Sequence, residues 1–390
     1  MVNSHPIQYF APLYAYLNRD PSLEVTALYC SDISLRGGMD AGFGQAVKWD
    51  VDLLGGYPYL FLGPKAESRV PGGFWSLVCP GVWTEIRSGR HDAVWLHGYA
   101  YAADVLAFLA AKSRGLPVFY RSETHLGLQR SGWKRRLRDW VLSTAGRFVD
   151  AFLAIGTANR DYYRALGVPE HKIFDVPYTV DNDRFMASAK LDAAERQTVR
   201  QKFGLPPGRP VVLFASKLVT RKHPDHLVHV MARLRDEGVE ASLLFVGSGE
   251  MEPALRSLVV HYNLDRSVFF GGFVNQAELP RVYAASDVFV LPAENEPWGL
   301  IVNEVLCAGV PVIVAHEVGC VPDLVHHGEN GLLVQAGDIG SLTDAVRRLL
   351  LDDHTRVSMG QKGFAMIDEW NYERCRRGVV AAVESLHVGG

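Results

Sequence analysis

Two glutamates, Glu296 and Glu304, are the residues of this chain best suited to chemistry, and seven residues separate them. An apolar run at 287–292 precedes them and is typical of a strand covered on both faces of a sheet. Pro297 suits the first turn of a helix, because a proline there gives up no hydrogen bond that the helix needs. The pattern predicts a strand, a loop carrying Glu296, and a helix carrying Glu304 on its first turns.

The start of this predicted helix offers backbone donors between the two carboxylates. The N–H groups of Trp298, Gly299 and Leu300 would have no partner within the helix and would point outward. Such groups favour an anion at the start of a helix. Anion donors flanked by two hydroxyl-binding carboxylates suit a sugar joined to a nucleoside diphosphate. Two glutamates on a helix are, however, more often simply solvated, so the pair alone is a weak signal.

A basic cluster follows another apolar run, at 211–215, and consists of Lys217, Arg221 and Lys222. Transfer of a sugar from a nucleotide leaves a diphosphate whose negative charge grows as the bond breaks. Preorganised cations stabilise such charge far better in a dry site than in water. We interpret Lys217 and Lys222 as these cations and expect Arg221 to point to solvent. Alone, three basic residues after a strand are usually a solvated loop.

Both groups of residues resemble motifs of one family, the retaining GT-B glycosyltransferases of the GT4 group. The two-glutamate segment, with Ala-Gly-Val-Pro-Val-Ile at 308–313, resembles that family's E-x7-E region. The basic cluster resembles its G-R-L-x-x-x-K pattern, with Ser216 where most relatives have Gly and Lys217 where most have Arg. Lysine keeps the charge but lacks the two-pronged geometry of arginine. The resemblance covers nearly all of 210–384 and is loose over the first half.

This resemblance implies a retaining, metal-independent transfer of a sugar from a UDP-sugar or GDP-sugar to a hydroxyl group. The acceptor would be a glycan, a lipid-linked sugar or a small natural product. Glu296 would bind hydroxyls of the transferred sugar, and Glu304 would bind the ribose. The implied donor-binding residues are Ser216, Lys217, Lys222, Gly247, Gly249, Phe273, Val274, Glu296, Trp298, Gly299, Leu300, Glu304 and Gly319. Gly-x-Gly alone is weak without a complete G-x-G-x-x-G, and Gly319 fits a plain turn equally well.

Further candidates come from the first half, where polar residues follow apolar strands. His97 ends the run 93–96, and Glu123 and His125 follow the run 117–120. Because open α/β sheets bind ligands at the carboxyl ends of their strands, we expect these side chains to orient the reacting sugar or the acceptor. A lone histidine is more often structural, which stays open here. The catalytic set is thus Glu296, Lys222, Lys217, His97, Glu123 and His125.

No enzyme nucleophile is identifiable from spacing, and no serine–histidine or cysteine–histidine pair suggests a covalent hydrolase. That agrees with same-face substitution, in which the leaving phosphate helps to deprotonate the acceptor. Asp181 and Asp183 form a D-x-D pair that could hold a metal, but they lie at the predicted domain junction. Because the resemblance implies that the diphosphate binds without a metal, and because the pair lies at that junction, we expect no cofactor and no metal, with the nucleotide sugar as co-substrate.

Length, composition and periodicity bound the fold. The chain has 390 residues, 48% hydrophobic and 21% charged, which fits two globular domains. Strands alternating with helices predict parallel sheets with helices on both faces. The fold class is α/β, and the resemblance implies GT-B: two Rossmann-like domains facing across a cleft, with a C-terminal helix crossing back to the first. The predicted domains are an acceptor domain at 1–180, a nucleotide-sugar domain at 181–368 and the returning helix at 369–390.

The elements predicted from apolar runs are short strands separated by helices. A first strand usually has about five or six residues, yet only Val2 precedes the polar residues of the first loop, so we expect either a short strand or a start that lacks a few residues. The Gly- and aromatic-rich segment 37–73 is predicted to be an inserted loop. Strands are predicted at 24–29, 93–96, 117–120, 151–154, 172–176, 211–215, 242–246, 268–270, 288–291, 312–314 and 331–334, with helices at 101–112, 133–145 and 372–386.

Charge and cysteine content restrict the partners. The net charge of −3 gives no general attraction to nucleic acid. Five scattered cysteines suggest reduced thiols in a cytoplasmic protein. Neither a signal peptide nor a membrane-spanning stretch is expected. The basic patch Lys134, Arg135, Arg136 and Arg138 would allow peripheral contact with the inner membrane face, although a solvated helix face is the commoner explanation.

Two other functions remain open at this point. The first keeps the fold and changes the reaction, to a nucleotide-sugar 2-epimerase or a phosphorylase that uses free phosphate. The second is a two-lobed binding protein that closes on a small ligand without turnover. Acceptor-dependent release of nucleotide separates the three.

Overall fold

The computed structural model of the chain describes residues 1–40, 44–62, 71–128 and 132–386, without the side chains of residues 40, 133–135, 137 and 141. The contacts divide the chain into two units. The first unit comprises residues 1–39, 47–181 and 371–390, and the second comprises residues 40–46 and 182–370.

The first 181 residues contain nine short strands and six α-helices among the described residues. The strands are β1 Val2–Asn3, β2 Ala27–Tyr29, β3 Gly38–Asp40, β4 Gln45–Val47, β5 Tyr59–Phe61, β6 Val94–His97, β7 Val118–Arg121, β8 Ala151–Ala154 and β9 Ile173–Asp175. The helices are α1 Ala11–Leu17, α2 Ile33–Arg36, α3 Gly81–Arg87, α4 Ala102–Ser113, α5 Gly132–Gly146 and α6 Thr157–Ala165.

Seven of these strands form one parallel sheet in the order β5-β2-β1-β6-β7-β8-β9, while β3 and β4 pair separately. The first strand, β1, has two residues. Part of the segment 37–73 was wrongly interpreted as an insertion, since β5 within it is the edge strand of the sheet. At the carboxyl ends of two central strands, His97 of β6 lies beside Arg121 of β7.

The second unit holds six strands in the order β12-β11-β10-β13-β14-β15, all parallel. The strands are β10 Val211–Ala215, β11 Ser242–Val246, β12 Val268–Phe270, β13 Val288–Leu291, β14 Val312–Ala315 and β15 Gly331–Val334. The helices are α7 Asn182–Ser188, α8 Ala193–Lys202, α9 Pro224–Asp236, α10 Glu252–His261, α11 Leu279–Ala284, α12 Leu300–Leu306, α13 Val321–Leu324, α14 Ile339–Leu351 and α15 Asp353–Glu369.

The order of the second sheet reverses between β10 and β13. From β10 the chain proceeds outward to β11 and β12, and then returns to place β13 on the other side of β10. Loops leaving two such strands diverge and leave a crevice at their carboxyl ends, where open α/β sheets bind ligands. Residues after β10 and β13 are therefore positioned for a site.

The last helix, α16 Tyr372–Ser385, packs on α1, β8 and β9 of the first unit. Tyr16 donates a hydrogen bond to Glu373 at 3.1 Å, and Arg376 pairs with Asp20 at 2.6 Å. Gly378 permits the close approach, since a Cβ there would stand 1.8 Å from the carbonyl oxygen of Asp175. The α/β class with two Rossmann-like units and a returning C-terminal helix is thus confirmed.

Apolar strands fill the cores of both units. Every residue of β7, β8, β10, β11, β13 and β14 is buried, as parallel strands covered on both faces must be. The five cysteines are buried thiols. Within the described ranges, no helix combines the length and the apolar character needed to cross a membrane.

Candidate active site

A buried ion pair lies at the switch point of the second sheet. Lys222, in a short 3₁₀ turn after β10, donates a hydrogen bond to Oε2 of Glu296, in the loop after β13. Arg221 donates to the same oxygen at 2.7 Å. The side chains of Lys222 and Glu296 are only 7% and 12% exposed, whereas that of Arg221 is 46% exposed. The sequence predicted that Arg221 points to solvent. Its side chain is partly exposed, but its guanidinium binds Glu296, so the prediction was wrong for the charged group.

Backbone hydrogen bonds hold the loops of the ion pair together. The amide of Glu294 donates to the carbonyl of Arg221 at 2.9 Å, which ties the loop after β13 to the loop after β10. The amide of Gly319, after β14, donates to the carbonyl of Glu296 at 3.1 Å. Asn295 has a φ of 50°, the left-handed conformation that asparagine tolerates well. Gly319 thus lies beside Glu296, where the sequence predicted a donor-side turn.

The electrostatics of the pair follow from burial and charge. Burial alone would raise the pKa of Glu296, but the Lys222 ammonium and the Arg221 guanidinium outweigh it and lower the pKa. For Lys222, burial lowers the pKa, and attraction to Glu296 opposes the change. Because an unpaired charge is costly in such surroundings, each group stabilises the ionised form of the other, and we treat the pair as carboxylate and ammonium.

The helix after Glu296 begins later than the sequence predicted. Helix α12 starts at Leu300, with Gly299 as the preceding residue at a φ of 88°. Pro297 therefore lies in the loop and not in the first turn. A Cβ on Gly299 would come within 3.0 Å of Val318, so glycine serves both the backbone conformation and the packing. The first helical bond, from the Val302 amide to the Gly299 carbonyl, is 2.9 Å long.

Two predicted donor-binding side chains, Trp298 and Glu304, face the interior of the second unit. The indole N–H of Trp298 donates to Asn303 at 3.0 Å, and its ring stacks on Trp370 with centroids 6.0 Å apart. Glu304, 2% exposed, accepts a hydrogen bond from the Tyr283 hydroxyl at 2.5 Å. In this conformation Trp298 is a packing residue, and Glu304 shares its carboxylate with Tyr283.

Glycines 247 and 249 allow the loop after β11 to lie against the loop after β10. A Cβ on Gly247 would stand 2.1 Å from the Ser216 carbonyl oxygen, and one on Gly249 would stand 2.4 Å from that of Leu218. The amide of Leu218 donates to the carbonyl of Ser248 at 3.0 Å. These glycines therefore shape the loop that carries Ser216, Lys217 and Lys222. Phe273 and Val274 follow β12, two strands away from β10.

The first unit has its own cavity, of about 470 Å³, at the carboxyl ends of β1, β6 and β7. Predicted residues His97 and Glu123 line it, together with Asn3, Ser4 and Arg121. His125 is buried instead within its own turn, where its Nδ1 accepts a hydrogen bond from the Gly127 amide at 3.2 Å. The structure thus brings two of the three predicted first-half residues to one cavity.

His97 is held by aromatic neighbours. Its Nε2 lies 2.9 Å from the Tyr14 hydroxyl, and its ring stacks between Phe10 and Trp95 at centroid distances of 4.4 and 5.2 Å. Burial, followed by the nearby charge of Arg121, holds the pKa of His97 well below its usual range. The imidazole is therefore neutral near pH 7, and its position on the cavity wall suits orientation of a ligand better than proton transfer.

Sequence reasoning missed Arg121 as a site residue. Arg121 is 3% exposed and lines the same cavity. The signal was present: an arginine directly continues the apolar run Val118–Tyr120, where a solvated residue would be unexpected. A charged residue at the carboxyl end of a buried strand is a feature of ligand sites.

The remaining candidates are the predicted basic patch and one group of potential metal ligands. Of the predicted basic patch, Arg136 is exposed and Arg138 pairs with Asp139 at 2.7 Å, while the side chains of Lys134 and Arg135 lie outside the described residues. Across the described ranges, one group of potential metal ligands was found, namely His223, Asp225 and His226. The two imidazoles stack with centroids 4.5 Å apart, and the potential ligand atoms of the three residues lie within 4.8 Å of one another.

Solved structures of GT-B glycosyltransferases share this fold. The Anabaena protein HepE in complex with UDP-glucose aligns over 98% of this chain and 98% of its own, with a TM-score of 0.72 and 16% identity. Sucrose-phosphate synthase from Thermosynechococcus elongatus aligns over 98% of this chain and 93% of its own, with a TM-score of 0.74 and 20% identity. At such identities the likeness shows the fold alone, and that fold is GT-B.

Sequence comparisons identify the family. The family model for glycosyl transferases group 1 matches residues 195–366, and a glycosyl transferase 4-like domain matches residues 13–179. The GDP-mannose-dependent alpha-(1-6)-phosphatidylinositol monomannoside mannosyltransferase of Mycobacterium tuberculosis is 30% identical over 313 residues, 76% of this chain and 78% of that protein. The chain belongs to the GT4-type, group 1 glycosyltransferases, as its motifs predicted. It is an enzyme that transfers a sugar from a nucleotide sugar to an acceptor.

Proposed function

We propose that this enzyme transfers a hexose from a UDP-sugar or GDP-sugar to a hydroxyl group, with retention of configuration and without a metal. The observation that carries the proposal is the buried Glu296 carboxylate, engaged by Lys222 and Arg221 at the switch point of the second sheet. Family membership supplies the reaction class. The position and charge of these side chains support the donor's diphosphate binding here.

The charge of this cluster favours a diphosphate. Two cations, Lys222 and Arg221, meet one carboxylate, Glu296, which leaves a net charge of +1. Lys217, at the beginning of the same loop, adds another cation. As the glycosidic bond breaks, negative charge grows on the leaving diphosphate, and a buried cation stabilises it most strongly there. Glu296 keeps Lys222 in place and accepts hydrogen bonds from hydroxyls of the transferred sugar.

The remaining donor contacts are assigned by position along the same sheet edge. Ser216 lies in the loop after β10, Gly247 and Gly249 lie after β11, and Phe273 and Val274 lie after β12. These loops would contact the nucleoside and its phosphates.

The last proposed donor contacts come from Gly299 and from helix α12, which follow the loop that carries Glu296. Gly299 and Leu300 would present backbone amides to the ligand. Glu304 would bind the ribose while sharing its carboxylate with the Tyr283 hydroxyl.

The hydrogen bonds and the ionised form of Glu296 support retention of the anomeric configuration. A carboxylate that already accepts hydrogen bonds from two cations, and whose pKa is lowered by them, is a weak nucleophile and a weak base. If the leaving phosphate deprotonates the acceptor on the same face of the sugar, Glu296 need act neither as a nucleophile nor as a base. The cations of the cluster would take the place of a metal at the diphosphate.

The acceptor is proposed to bind in the cavity of the first unit, with His97 and Glu123 as orienting groups. A glycan, a lipid-linked sugar or a small molecule would supply the hydroxyl. The printed name of the mycobacterial relative specifies a phosphatidylinositol monomannoside acceptor. A cytoplasmic location with peripheral contact at the inner membrane face, through the exposed Arg136 and its helix, is part of this proposal.

A donor panel tests the reaction. Thermal-shift screening with UDP- and GDP-sugars selects the donor, and acceptor-dependent release of nucleotide is then measured in the presence of EDTA. The anomeric configuration of the product is determined by NMR. Retention and undiminished rate in EDTA are expected. An inverted product, or loss of activity in EDTA that a divalent cation restores, would contradict the mechanism, and conversion of the donor without any acceptor would indicate an epimerase.

A further inference from the structure

Arg121 carries a buried guanidinium nitrogen without a hydrogen-bond partner. Its Nη1 is fully enclosed, and no partner for it exists in the described parts of the chain. Nη2 donates to the carbonyl of Pro177 at 3.3 Å. An arginine that is 97% buried would ordinarily have its five N–H donors matched by acceptors, above all by a carboxylate. The acceptor that this side chain is built to bind is therefore sought outside the protein.

Aromatic rings, and no carboxylate, stabilise the cation. The guanidinium carbon lies 4.9 Å from the ring centroid of Tyr178, 5.6 Å from that of Phe10 and 5.9 Å from that of Trp95. No ion pair to Arg121 is found among residues 1–40, 44–62, 71–128 and 132–386. Ring faces offset part of the cost of burying a cation, and they fix its plane without using its hydrogen-bond donors.

Arg121 shares the wall of its cavity with several neutral polar residues. Asn3, Ser4, Ser122 and Thr124 supply amide and hydroxyl groups around its wall. Asn3 is hydrogen-bonded to the Tyr14 hydroxyl and Ser122 to the Tyr163 hydroxyl. Because all four side chains are neutral, the charge preference of the cavity depends on its ionisable residues.

Two acids also line the cavity, and each is engaged elsewhere. Glu123 accepts a hydrogen bond from the Tyr178 hydroxyl at 2.8 Å and is exposed to solvent. Asp104 accepts a bond from the Tyr101 amide at 3.0 Å, and burial raises the pKa of Asp104 to about 7. The carboxylate of Asp104 is thus partly protonated near neutral pH, which leaves Arg121 as the dominant buried charge of the wall.

We propose that this cavity recognises an anionic oxygen group, a phosphate or a carboxylate, on the acceptor, with Arg121 as the residue that binds it. The planar fork of a guanidinium matches both groups and forms two parallel hydrogen bonds to them. The inference rests on the proposed function in one respect, namely that the ligand of the first unit is the acceptor. It narrows the acceptors to molecules that carry a negative charge near the hydroxyl that reacts.

Three ligands with the same ring test the proposal: glucose, glucose 6-phosphate and glucuronate. Each is titrated by calorimetry into protein saturated with UDP or GDP, so that the phosphate does not occupy the donor site. An anionic ligand should bind about tenfold to a hundredfold more tightly than glucose, the usual gain of hydrogen bonds to a charged group. A preference for glucose 6-phosphate assigns a phosphate, and a preference for glucuronate assigns a carboxylate.

Variants at Arg121 decide whether the preference belongs to this residue. Arg121→Gln should remove the advantage of the anionic ligand, and Arg121→Lys should restore part of it, because lysine keeps the charge without the fork. Arg90→Gln is the matched control, since Arg90 is a surface arginine of the same unit with a side chain 65% exposed. Equal binding of all three ligands, or an advantage that survives Arg121→Gln, would overturn the proposal.

The same titrations distinguish failure of the proposed function from failure of the proposal for Arg121. If neither UDP nor GDP binds, the proposed function fails, while the difference between the wild-type protein and Arg121→Gln still reports on the cavity. If nucleotide binds and the three sugars do not differ, only the proposal for Arg121 fails. The affinity of Arg121→Gln and Arg121→Lys for nucleotide shows whether the second unit of each variant is folded.

Discussion

Each unit buries a cation at the carboxyl ends of its parallel strands, but the two cations have different partners. In the second unit Lys222 is paired with Glu296, within a cluster that the protein supplies in full. In the first unit Arg121 lies among aromatic rings, with one carbonyl as its hydrogen-bond partner. A paired cation is neutralised within the protein, whereas the cost of burying a cation without a counter-charge is offset only in part by ring faces and can be offset further by an anionic ligand.

This difference fits two kinds of ligand. A diphosphate carries enough negative charge to attract Lys222 and Arg221 even though Glu296 already neutralises part of their charge. An acceptor with a single anionic group has less charge, and Arg121, which has no carboxylate to compete with it, suits such a ligand.

The largest effect is expected for the loss of charge on Glu296. Glu296→Gln should lower turnover by about a hundredfold to a thousandfold, because Lys222 loses its fixed position and the sugar loses an acceptor of its hydroxyl hydrogen bonds. Steady-state release of nucleotide measures the effect. Glu329→Gln, with a side chain 71% exposed, is the control and should match the wild-type protein. Wild-type turnover in Glu296→Gln would remove this residue from the reaction.

Replacing each cation by methionine tests the contrast through stability. Lys222→Met leaves the Glu296 carboxylate buried with only the half-exposed Arg221, so the free energy of unfolding should fall by about 3 kcal/mol. Arg121→Met removes a cation without a counter-charge and should change the free energy of unfolding by less than about 1 kcal/mol. Urea denaturation of the ligand-free proteins measures both. Equal destabilisation by the two substitutions would mean that Arg121 has a counter-charge in the ligand-free protein.

Two glycines of the second unit test how the loop of Lys222 is held. Gly247→Ala places a Cβ 2.1 Å from the Ser216 carbonyl oxygen at a φ of 123°, whereas Gly272→Ala, at a φ of 66°, meets no atom within 4 Å. We expect losses of about 3 kcal/mol for the first, from strain and collision, and about 1 kcal/mol for the second, from strain alone. Thermal denaturation compares them. Nucleotide affinity should fall in Gly247→Ala only, and similar results for both would exclude a role for this packing.

The smallest effect concerns acid stability. The folded-state pKa of Glu296 is lowered below 4.5, so its contribution to stability is complete above that pH and is lost as the pH falls further. The stability difference between the wild-type protein and Glu296→Gln should therefore shrink as the pH is lowered from about 6 to about 3. Thermal scans across this range measure it. A difference that stays constant with pH would show that Glu296 titrates alike in the folded and unfolded states.

Sequence alone predicted the strands of the second unit well. β10, β11, β12, β13 and β15 begin and end at the predicted residues, because a buried parallel strand is an uninterrupted apolar run. The edge strand β5 was missed, since Tyr59 and Leu60 are exposed and lie in a Gly-rich stretch that resembles a loop. Edge strands carry little of the pattern on which such predictions depend.

Side-chain partners were predicted less well than positions. The two-glutamate motif located Glu296, but the start of α12 at Leu300 depends on the left-handed conformation of Gly299, which Pro297 obscured. The inward direction of Trp298 depends on its stacking with Trp370, far along the chain. The position of Arg121 at the end of an apolar run was visible in the sequence, but its lack of a carboxylate partner is a property of the folded cavity and could not be predicted.

The central claim is that the diphosphate of the donor binds beside the Lys222–Glu296 pair, and a crystal of the protein soaked with UDP or GDP tests it most directly. We predict density for the two phosphates within hydrogen-bonding distance of the Lys222 ammonium, next to the loop at 296–300. Density for the nucleotide elsewhere, with the Lys222–Glu296 pair undisturbed, would contradict the account.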